Sequence, residues 1–376
     1  MSADVTGGVA AGGRTRSPLR AGVVGLGWAG QQHMDAYALR PDVELVAIAG
    51  LEDEPRVRLG ELYGLPGSGL FRGYDEMIAQ ADLDVISVAT PTALHAPVAL
   101  AALAAGVHVL SEKPLAEDAE RGAAMVEAAR SADRVLDVSF NHRRRGDVKA
   151  LKKLVDDGAL GEIYYAKAGW LRRSGIPGLG TWFTRKALAG GGPLMDIGVH
   201  MLDMALHLMG EPAAQAVSAS TYAKFGPRGR GGSVDRPTVA PGADGTVPFE
   251  VEDLSTAFVR LSGGATLLLE ASWASYIKAD ELYVVLYGSE GGAVLGTPGV
   301  WNQSRLDVLT EMHGVPAELF PVLGPDGRHG EAVDDFLAKV LAPDWSGFHG
   351  EDALTRALVV DAAYRSAEEQ REIRLD

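Results

Sequence analysis

Short apolar runs alternate with segments of helical periodicity between Leu19 and Asn141. The apolar runs predict strands in AGVVGLG, ELVAIAG, DVISVAT, VHVLSE and RVLDVSF, and the segments between them predict helices near 29–39, 54–63, 96–105 and 119–132. Strands that alternate with helices in this way form βαβ units, in which neighbouring strands run parallel. We therefore predict an α/β region with a doubly wound parallel sheet over residues 19–141.

The pattern changes after Asn141. A helix near 148–156, the apolar run EIYYAKAGWLR and a helix near 195–208 are followed by four strand-like stretches, namely AVSASTYAKF, VEDLSTAFVRL, ATLLLEASWAS and ELYVVLYGSEGGAVL. The turn signal Ser262-Gly263-Gly264 separates the second stretch from the third and favours a hairpin. With closing helices near 331–340 and 351–367, residues 142–376 are predicted to form an α+β domain with a large, mostly antiparallel open sheet.

Two segments lack the composition of a packed core. Residues 1–18 are rich in Gly, Ala, Ser and Thr and lack the apolar stretch of a signal peptide, so we predict a disordered tail. Residues 226–248 are rich in Gly and Pro and nearly devoid of large apolar side chains. This composition predicts an exposed excursion, which is either a lid or a long loop.

Composition narrows the possible functions. The 376 residues suffice for two domains, and the formal net charge of −15 disfavours nucleic acid and anionic membrane surfaces as partners. The absence of cysteine excludes disulfides, thiolate nucleophiles and Cys-ligated metal centres. Since no window approaches the roughly 20 apolar residues of a membrane span, we expect a soluble, cytoplasmic protein.

A glycine motif follows the first predicted strand and opens the first predicted helix. It consists of Gly25, Leu26, Gly27, Trp28, Ala29 and Gly30, and it has the form GxGxxG. In this position Gly25 permits a tight turn, Gly27 lets the backbone approach a pyrophosphate, and Gly30 lets the helix pack on the strand. The motif predicts a dinucleotide-binding Rossmann domain, with a glycine-rich βα turn as the alternative.

The end of the second strand bears on the choice of cofactor. Rossmann domains usually hold the adenosine ribose with an acidic residue there, but this position is Gly50. Glu52 or Asp53 is placed to take over that role, and no Arg or Lys stands beside them. NAD is therefore favoured over NADP, which is not excluded, and exposed loop carboxylates are the alternative reading of this pair.

A lysine ends the buried strand VHVLSE, within Glu112-Lys113-Pro114. Ligands of doubly wound sheets bind beyond the carboxyl ends of the strands. A lysine fixed at such an end by the proline that follows it differs from the usual solvated lysine of a helix. We therefore predict that Lys113 belongs to the site.

Three segments together resemble a known family. GLGWAG, TPTALHAPVALAALAAGVHVLSEKPLA and GGGPLMDIGVHMLD, in this order and spacing, are similar to the Gfo/Idh/MocA oxidoreductases, and the resemblance extends over nearly the whole chain. It implies that Lys113, Asp196 and His200 face the substrate carbon beside the nicotinamide. It also implies cofactor contacts from Thr90, Pro91, His95, Glu112 and Lys113.

The spacing of Asp196 and His200 agrees with this implication, because side chains at i and i+4 share one face of a helix. A neutral imidazole suits removal of a hydroxyl proton, so His200 is our general base. The Lys113 ammonium would stabilise the developing alkoxide, with Asp196 as the orienting group. Which of Lys113 and His200 takes the proton is left open by the sequence.

Asp196 and His200 also allow other interpretations. Asp196 and His200 taken alone fit a helix cap and a core histidine, and Asp196, His200, Asp203 and His207 form a stripe with metal-ligand chemistry, although the family pattern needs no metal. Arg143 and Trp182 are further candidates for substrate binding. Surface basic residues and a core tryptophan are equally good explanations of that pair.

The resemblance implies an NAD(P)-dependent oxidoreductase that transfers a hydride between the nicotinamide and a secondary hydroxyl of a sugar, sugar derivative or inositol. A homodimer or homotetramer formed through the C-terminal sheet is expected. The first alternative is a non-catalytic dinucleotide-binding regulator, which the presence of Lys113 and His200 disfavours. The second is an NAD-dependent glycosidase on the same fold.

Overall fold

A computed structural model describes residues 18–234, 238–239, 247–296 and 305–375. The predicted tail, residues 1–18, lies outside the described residues apart from Pro18. Within these ranges, no helix combines the length and the apolar character that crossing a bilayer requires.

The N-terminal part of the chain forms a six-stranded sheet with helices on both faces. Its elements are β1 (Leu19–Val24), α1 (Trp28–Ala38), β2 (Val43–Ala49), α2 (Asp53–Leu62), β3 (Leu70–Phe71), α3 (Tyr74–Gln80), β4 (Val85–Val88), α4 (His95–Ala104), β5 (His108–Glu112), α5 (Ala119–Ala132) and β6 (Leu136–Ser139). The strand order is β3-β2-β1-β4-β5-β6, and every pair is parallel. The predicted doubly wound Rossmann sheet is confirmed, and the strand order reverses direction between β1 and β4, where such folds bind their ligands.

The described residues of the rest of the chain form a nine-stranded sheet and five α-helices. Its elements are α6 (Gly146–Asp156), β7 (Ile163–Leu171), α7 (Lys186–Ala189), α8 (Val199–Leu208), β8 (Ala214–Tyr222), β9 (Leu254–Leu261), β10 (Thr266–Ser272), β11 (Glu281–Gly288), β12 (Gly291–Leu295), β13 (Leu306–Met312), β14 (Val315–Leu319), α9 (Arg328–Val340), α10 (Glu351–Glu369) and β15 (Ile373–Arg374). The strand order is β14-β13-β12-β11-β7-β10-β9-β8-β15. Only the pair of β7 and β10 is parallel, so the predicted large, mostly antiparallel sheet is confirmed.

The helices of the second region cover one face of this sheet. α8 packs on β7, β10 and β11, and α10 packs on β8. The buried apolar side chains of α8 and of the inner strand positions merge with those of the first sheet into one large core. The other face of the sheet carries side chains that are only half-buried, including Phe258, Leu268 and Val285.

Helix α9 packs against the first sheet, although it follows most of the second sheet in the chain. Val333, Phe336 and Leu337 of α9 are fully buried together with Tyr37 of α1 and other residues of the first sheet's outer layer. Part of the predicted span 142–376 thus packs on the Rossmann layer, and the boundaries of the predicted domains stay a prediction.

The predicted excursion, residues 226–248, is described at 226–234, 238–239 and 247–248. Its described part lies against a segment near Ile176, whose N–H donates to Gly231 O at 2.8 Å and whose carbonyl accepts from Ser233 N at 3.0 Å. None of the excursion's described residues lines the large cavity treated below. Its role as a lid stays a prediction.

Candidate active site

A cavity of about 1090 Å³ lies beyond the carboxyl ends of β1, β2, β4, β5 and β6 and is closed on its other side by the second sheet. Most of the predicted site residues line it. They are Gly25, Leu26, Gly27, Trp28, Ala29, Glu52, Thr90, Pro91, His95, Glu112, Lys113, Trp182, Asp196 and His200. A volume of this size accommodates a dinucleotide together with a second small molecule.

The glycine motif has the geometry that a pyrophosphate requires. Gly25 adopts φ +101°, and a Cβ there would lie 2.2 Å from Ala89 O, so only glycine fits. A Cβ on Gly30 would lie 2.0 Å from Gly25 O, which explains the close approach of α1 to β1. Around Gly27, in contrast, no protein atom lies within 4 Å of the position of a Cβ, and this open space borders the cavity. The motif therefore leaves room for a phosphate at the N-terminus of α1.

The hydroxyl of Thr90 gives a second indication that this part of the cavity holds a ligand. Its Oγ1 is buried and has no hydrogen-bond partner among the described residues. A buried polar atom normally has a partner, so an orphaned one that borders a cavity fits a ligand contact. These residues fit NAD: the glycine turn would hold the pyrophosphate, and Thr90 would hydrogen-bond to the cofactor.

Two arginines lie near the predicted ribose site, contrary to the expectation that no basic residue stands there. Arg72, which lines the cavity beside Glu52, has its Nη1 3.4 Å from Asp53 Oδ1, and Arg56 is bonded to the same carboxylate. Asp53 is thus committed to guanidinium groups, which leaves Glu52 as the carboxylate available to ribose hydroxyls. Pairing of β3 with β2 brings Arg72 here, a contact that local sequence does not reveal.

His95 borders the cavity, as a cofactor contact requires, and its ring also lies against the backbone of two loops. Its Nδ1 lies 2.8 Å from Pro114 O and its Nε2 lies 3.1 Å from Thr90 O. Burial lowers the pKa of His95, and a neutral imidazole has one N–H, so one of these two carbonyl oxygens accepts a hydrogen bond from the ring. The ring thus lies between the loop after β4 and the loop after β5, which carry Thr90 and Lys113, and its role as a cofactor contact stays a prediction.

Glu112 is held as a buried anion at the end of β5. Its Oε1 lies 3.1 Å from His33 Nε2 and 3.6 Å from His329 Nε2. Burial alone would raise the pKa of Glu112, but the hydrogen bond from His33 and the charges of His33, His329 and Lys113 outweigh it and lower the pKa to about 2. A fixed negative charge therefore stands directly before Lys113 in the cavity wall.

Lys113 forms a polar cluster with Asp196 and Trp273. The Lys113 Nζ donates to Asp196 Oδ1 at 3.0 Å and to its carbonyl oxygen at 2.9 Å, while Trp273 Nε1 donates to Asp196 Oδ2 at 3.0 Å. Burial opposes ionisation of Asp196, but the charges of Lys113 and Arg172 and these hydrogen bonds prevail and lower its pKa. The cluster is thus a charged pair with its carboxylate fully engaged, and the third proton of Lys113 is free for a ligand.

Asp196 and His200 lie on one helical segment, as predicted, but the segment begins with a π-helical turn, Leu194–Gly198, before α8. The buried carboxylate of Glu252 holds the start of this turn. It accepts hydrogen bonds from Gly192 N at 2.9 Å, Leu194 N at 3.1 Å and Tyr364 Oη at 2.9 Å. Turns of this kind are rare and occur frequently at functional sites, where they re-aim side chains.

His200 enters the cavity without a fixed partner. Its Nδ1 is buried and has no hydrogen bond among the described residues. Burial, followed by the neighbouring charges of His142 and Lys113, lowers the pKa of His200 well below its ordinary value. The imidazole is therefore neutral near neutral pH, the state that a proton acceptor needs.

The structure excludes two of the candidate roles. Arg143 does not line the cavity: its guanidinium is bound to the buried Asp203 and to Asp352, at 3.0 Å from Asp352 Oδ2, and so it joins the two halves of the chain instead of binding a substrate. The metal stripe loses one of its four candidate ligands, because the Asp203 carboxylate is bound to Arg143 and Arg356. In the described ranges, no cluster of three or more His, Asp or Glu side chains is arranged to hold a metal ion.

Several residues of the cavity were not predicted from the sequence. They are His142, Trp170, Trp273 and His329, with Arg72 at the opposite end. Only His142 had a local signal, since it stands between two residues that the sequence singles out, Asn141 and Arg143. The others reach the cavity through contacts between elements that are distant in the chain.

Comparison with known proteins gives a consistent result. A family model described as "Oxidoreductase family, NAD-binding Rossmann fold" matches residues 19–140, and one described as "GFO/IDH/MocA C-terminal domain" matches residues 148–294. D-glucoside 3-dehydrogenase of Escherichia coli is 34% identical over 359 residues, which cover 94% of this chain and 97% of that protein. Levoglucosan dehydrogenase of Pseudarthrobacter phenanthrenivorans is 32% identical over 301 residues, which cover 77% of this chain and 75% of the relative.

Solved structures agree. The complex of a levoglucosan dehydrogenase with NADH superposes with a TM-score of 0.80 at 26% identity and covers 95% of this chain and 99% of that one. The structural match spans both sheets, and the family models match on either side of the crossing near Asn141. The two halves of the cavity wall thus come from the two domains that these models describe, and the chain belongs to the Gfo/Idh/MocA family of oxidoreductases with an NAD-binding Rossmann domain.

Proposed function

We propose that this protein transfers a hydride between NAD and the C3 hydroxyl of a glucose-type pyranose, forming or consuming a 3-keto sugar. Support for a sugar comes from the names of the relatives, and support for position 3 comes from two of them, D-glucoside 3-dehydrogenase and dTDP-3,4-didehydro-2,6-dideoxy-alpha-D-glucose 3-reductase. The second relative is 30% identical over 259 residues.

One observation carries the proposal: the Lys113 amine from the Rossmann region and the His200 imidazole from helix α8 of the second region border the same cavity as the glycine motif. Oxidation of a secondary alcohol requires a group that stabilises the oxygen as it loses its proton and a group that accepts that proton. Bound NAD supplies the hydride acceptor. The chain supplies the other two functions with Lys113 and His200.

The division of labour between these residues follows from their contacts. Lys113 is oriented by two hydrogen bonds to Asp196, so its remaining proton is aimed instead of rotating freely. It would donate to the substrate oxygen and stabilise negative charge there. His200, neutral and without a protein partner at Nδ1, would accept the hydroxyl proton, and it would return it in the reverse reaction.

Aromatic side chains suit the remainder of a sugar. Trp170 and Trp182 line the cavity, and Trp182 stacks on Phe183 with 3.8 Å between ring centres. The faces of aromatic rings pack on the C–H faces of pyranose rings. The hydroxyl groups at the edge of the sugar then remain free for hydrogen bonds. The protein face opposite the nucleotide motif is therefore chemically matched to a neutral, ring-shaped polyol.

The proposal is tested by incubating the purified protein with NAD and, separately, methyl β-D-glucopyranoside, 1,6-anhydroglucose and myo-inositol, with reduced nicotinamide followed by its absorbance. We expect turnover of the pyranosides and a 3-keto product by NMR. Turnover of myo-inositol alone would refute the pyranose assignment, and release of methanol without net cofactor reduction would favour the glycosidase alternative. A cytoplasmic location, assembly through the second sheet and the absence of nucleic-acid partners stay predictions.

A further inference from the structure

His142 is a residue of the cavity to which the mechanism above gives no task. It follows β6 in a 3-10 turn, Asn141–Arg144, and borders the cavity together with Lys113 and His200. Its ring centre lies 4.5 Å from that of His200, and Trp170 packs edge-on against it at 5.5 Å. It is therefore part of the substrate end of the cavity rather than of the nucleotide end.

The three arginines that follow His142 are all held by carboxylates. Arg143 is bound to Asp203, Arg144 to Asp335 and Arg145 to Asp147. The Asn141 amide, on the other side of His142, lies 3.3 Å from Nδ1 of His329. His142 alone in the turn lacks such a contact, and its Nδ1 is buried without a hydrogen-bond partner among the described residues.

An orphaned imidazole nitrogen in a firmly held turn is unfavourable for folding by itself. Leaving a buried polar group unsatisfied costs about 1–3 kcal/mol. The cost is removed when a ligand supplies the missing partner, and the ring borders the cavity of the active site. The arrangement therefore points to a ligand contact.

The charge state of the ring defines the ligand group. Burial, followed by the positive charges of Arg145 and Lys113, lowers the pKa of His142 to about 3. A neutral imidazole donates at one nitrogen and accepts at the other, which matches a hydroxyl group and does not favour a carboxylate or phosphate. Neighbouring hydroxyls of a pyranose project from adjacent carbons, so two imidazoles in ring contact can each bind one of them.

We propose that His142 is a specificity-determining residue, which binds a hydroxyl adjacent to the one that is oxidised and so selects sugars that carry a vicinal diol. This assignment rests on the proposed function. Within it, Lys113 and His200 act at the reacting hydroxyl, and His142 recognises the hydroxyl at C2 or C4.

The test compares methyl β-D-glucopyranoside with its 2-deoxy and 4-deoxy analogues, using wild type and His142→Leu. For wild type we expect one of the two deoxy analogues to lose about tenfold or more in kcat/KM, as expected for a lost hydrogen bond in a desolvated site. In H142L the parent sugar should lose a similar factor, and the same deoxy analogue should lose no more than about twofold further.

Two further variants support the comparison. Arg144→Lys alters the same turn on the side of Asp335 and should keep the full penalty for the deoxy analogue. His142→Gln, which retains a donor and an acceptor, should restore part of it, and it serves where H142L fails to bind NADH or to unfold cooperatively. An undiminished deoxy penalty in both His142 variants would overturn the assignment alone, whereas no turnover of any pyranoside by wild type would overturn the proposed function and this assignment with it.

Discussion

Lys113 and Asp196 come from different regions of the chain and meet with 3.0 Å between Nζ and Oδ1. Lys113 follows the last residue of β5, and Asp196 lies in the π-helical turn before α8. Their ion pair is only partly shielded, with side-chain exposures of 18% and 19%, because one side of it opens to the cavity. The contact therefore closes the two domains against each other and leaves the amine accessible to a substrate.

The first prediction concerns the amine itself. Lys113→Met should lower kcat by about 100-fold or more, since the group that stabilises the developing alkoxide is lost. NADH affinity, measured by fluorescence titration, should change little, because the glycine motif and Thr90 remain. Lys113→Arg serves as the matched variant: it keeps the positive charge and the bond to Asp196 and should lose less. Unchanged turnover in K113M would remove Lys113 from the mechanism.

A substitution of Glu252 would disturb the site through the turn that carries Asp196. Burial raises its pKa, and its carboxylate holds Gly192 N and Leu194 N at the start of the turn that carries Asp196. In Glu252→Gln one carboxylate oxygen becomes an amide donor, so one of these N–H groups loses its acceptor. We expect a loss of about 1–3 kcal/mol in the free energy of unfolding.

The same variant should lower kcat about tenfold with NADH affinity unchanged, because a misplaced Asp196 no longer orients Lys113. Tyr364→Phe keeps the Glu252 carboxylate and removes the phenol's hydrogen bonds to Glu252 and to the backbone at Gly192 and Met195, so we expect a smaller effect on both measurements. A loss of stability in E252Q at full kcat would show that Glu252 supports the fold but does not position the catalytic turn.

Cofactor choice is tested at the opposite end of the cavity. Glu52→Ala should weaken NAD more than NADP, since the carboxylate both accepts from ribose hydroxyls and repels a 2′-phosphate. Arg72→Ala should weaken NADP and spare NAD, because Arg72 is an exposed guanidinium near the same place. The measurement is the ratio of kcat/KM for the two cofactors. An unaltered ratio in both variants would place the ribose elsewhere.

The local sequence predicted those elements whose first and last residues favour the start and the end of a helix or strand. Helix α5 runs over 119–132 as predicted, because the Asp118 side chain accepts from Arg121 N at its start and Asp133 adopts a left-handed conformation at its end. The strand β14 was missed because most of its residues are exposed and show no alternation. Two-residue β3 is too short to give a pattern.

The site shows the same division. Lys113, Asp196 and His200 were predicted because each stands in a motif whose residues are close in sequence. The sequence gives no reason to prefer His142 or its neighbour Arg143 as the residue that borders the cavity. The geometry of the 3-10 turn decides this: His142 borders the cavity, and Arg143 binds Asp203. Trp273 and His329 depend on packing between distant elements, which no local pattern records.

Assembly through the second sheet is tested on its half-covered face. Phe258 of β9 lies opposite Leu268 of β10, and Val285 of β11 lies in the same row beyond Lys167 of the intervening β7. Half-exposed apolar side chains on one face of a sheet are typical of a protein interface. Leu268→Glu should convert the expected dimer or tetramer into a smaller species by light scattering after gel filtration. Leu39→Glu, at an 85% exposed position by α1, should leave the mass unchanged. A monomeric wild type would contradict the prediction.

The last prediction concerns stability against pH and rests on buried neutral histidines. Burial, with a smaller contribution from Arg134, lowers the pKa of His108 to about 4, and its Nδ1 accepts from Val135 N at 2.9 Å. Between about pH 6.5 and pH 4 the unfolded chain therefore binds a proton at this residue that the folded chain does not. The free energy of unfolding accordingly falls as the pH falls through this window, and it is unaffected by His108 above it.

His108→Asn keeps an acceptor for Val135 N and removes the titration. At about pH 7 the variant should be less stable than wild type, and this difference should shrink towards pH 4 by up to roughly 1.4 kcal/mol per pH unit, the slope of one proton. Urea denaturation at several pH values gives both curves, and the other buried histidines contribute equally to each. Curves that stay parallel across the window would show that His108 titrates alike in the folded and unfolded chains.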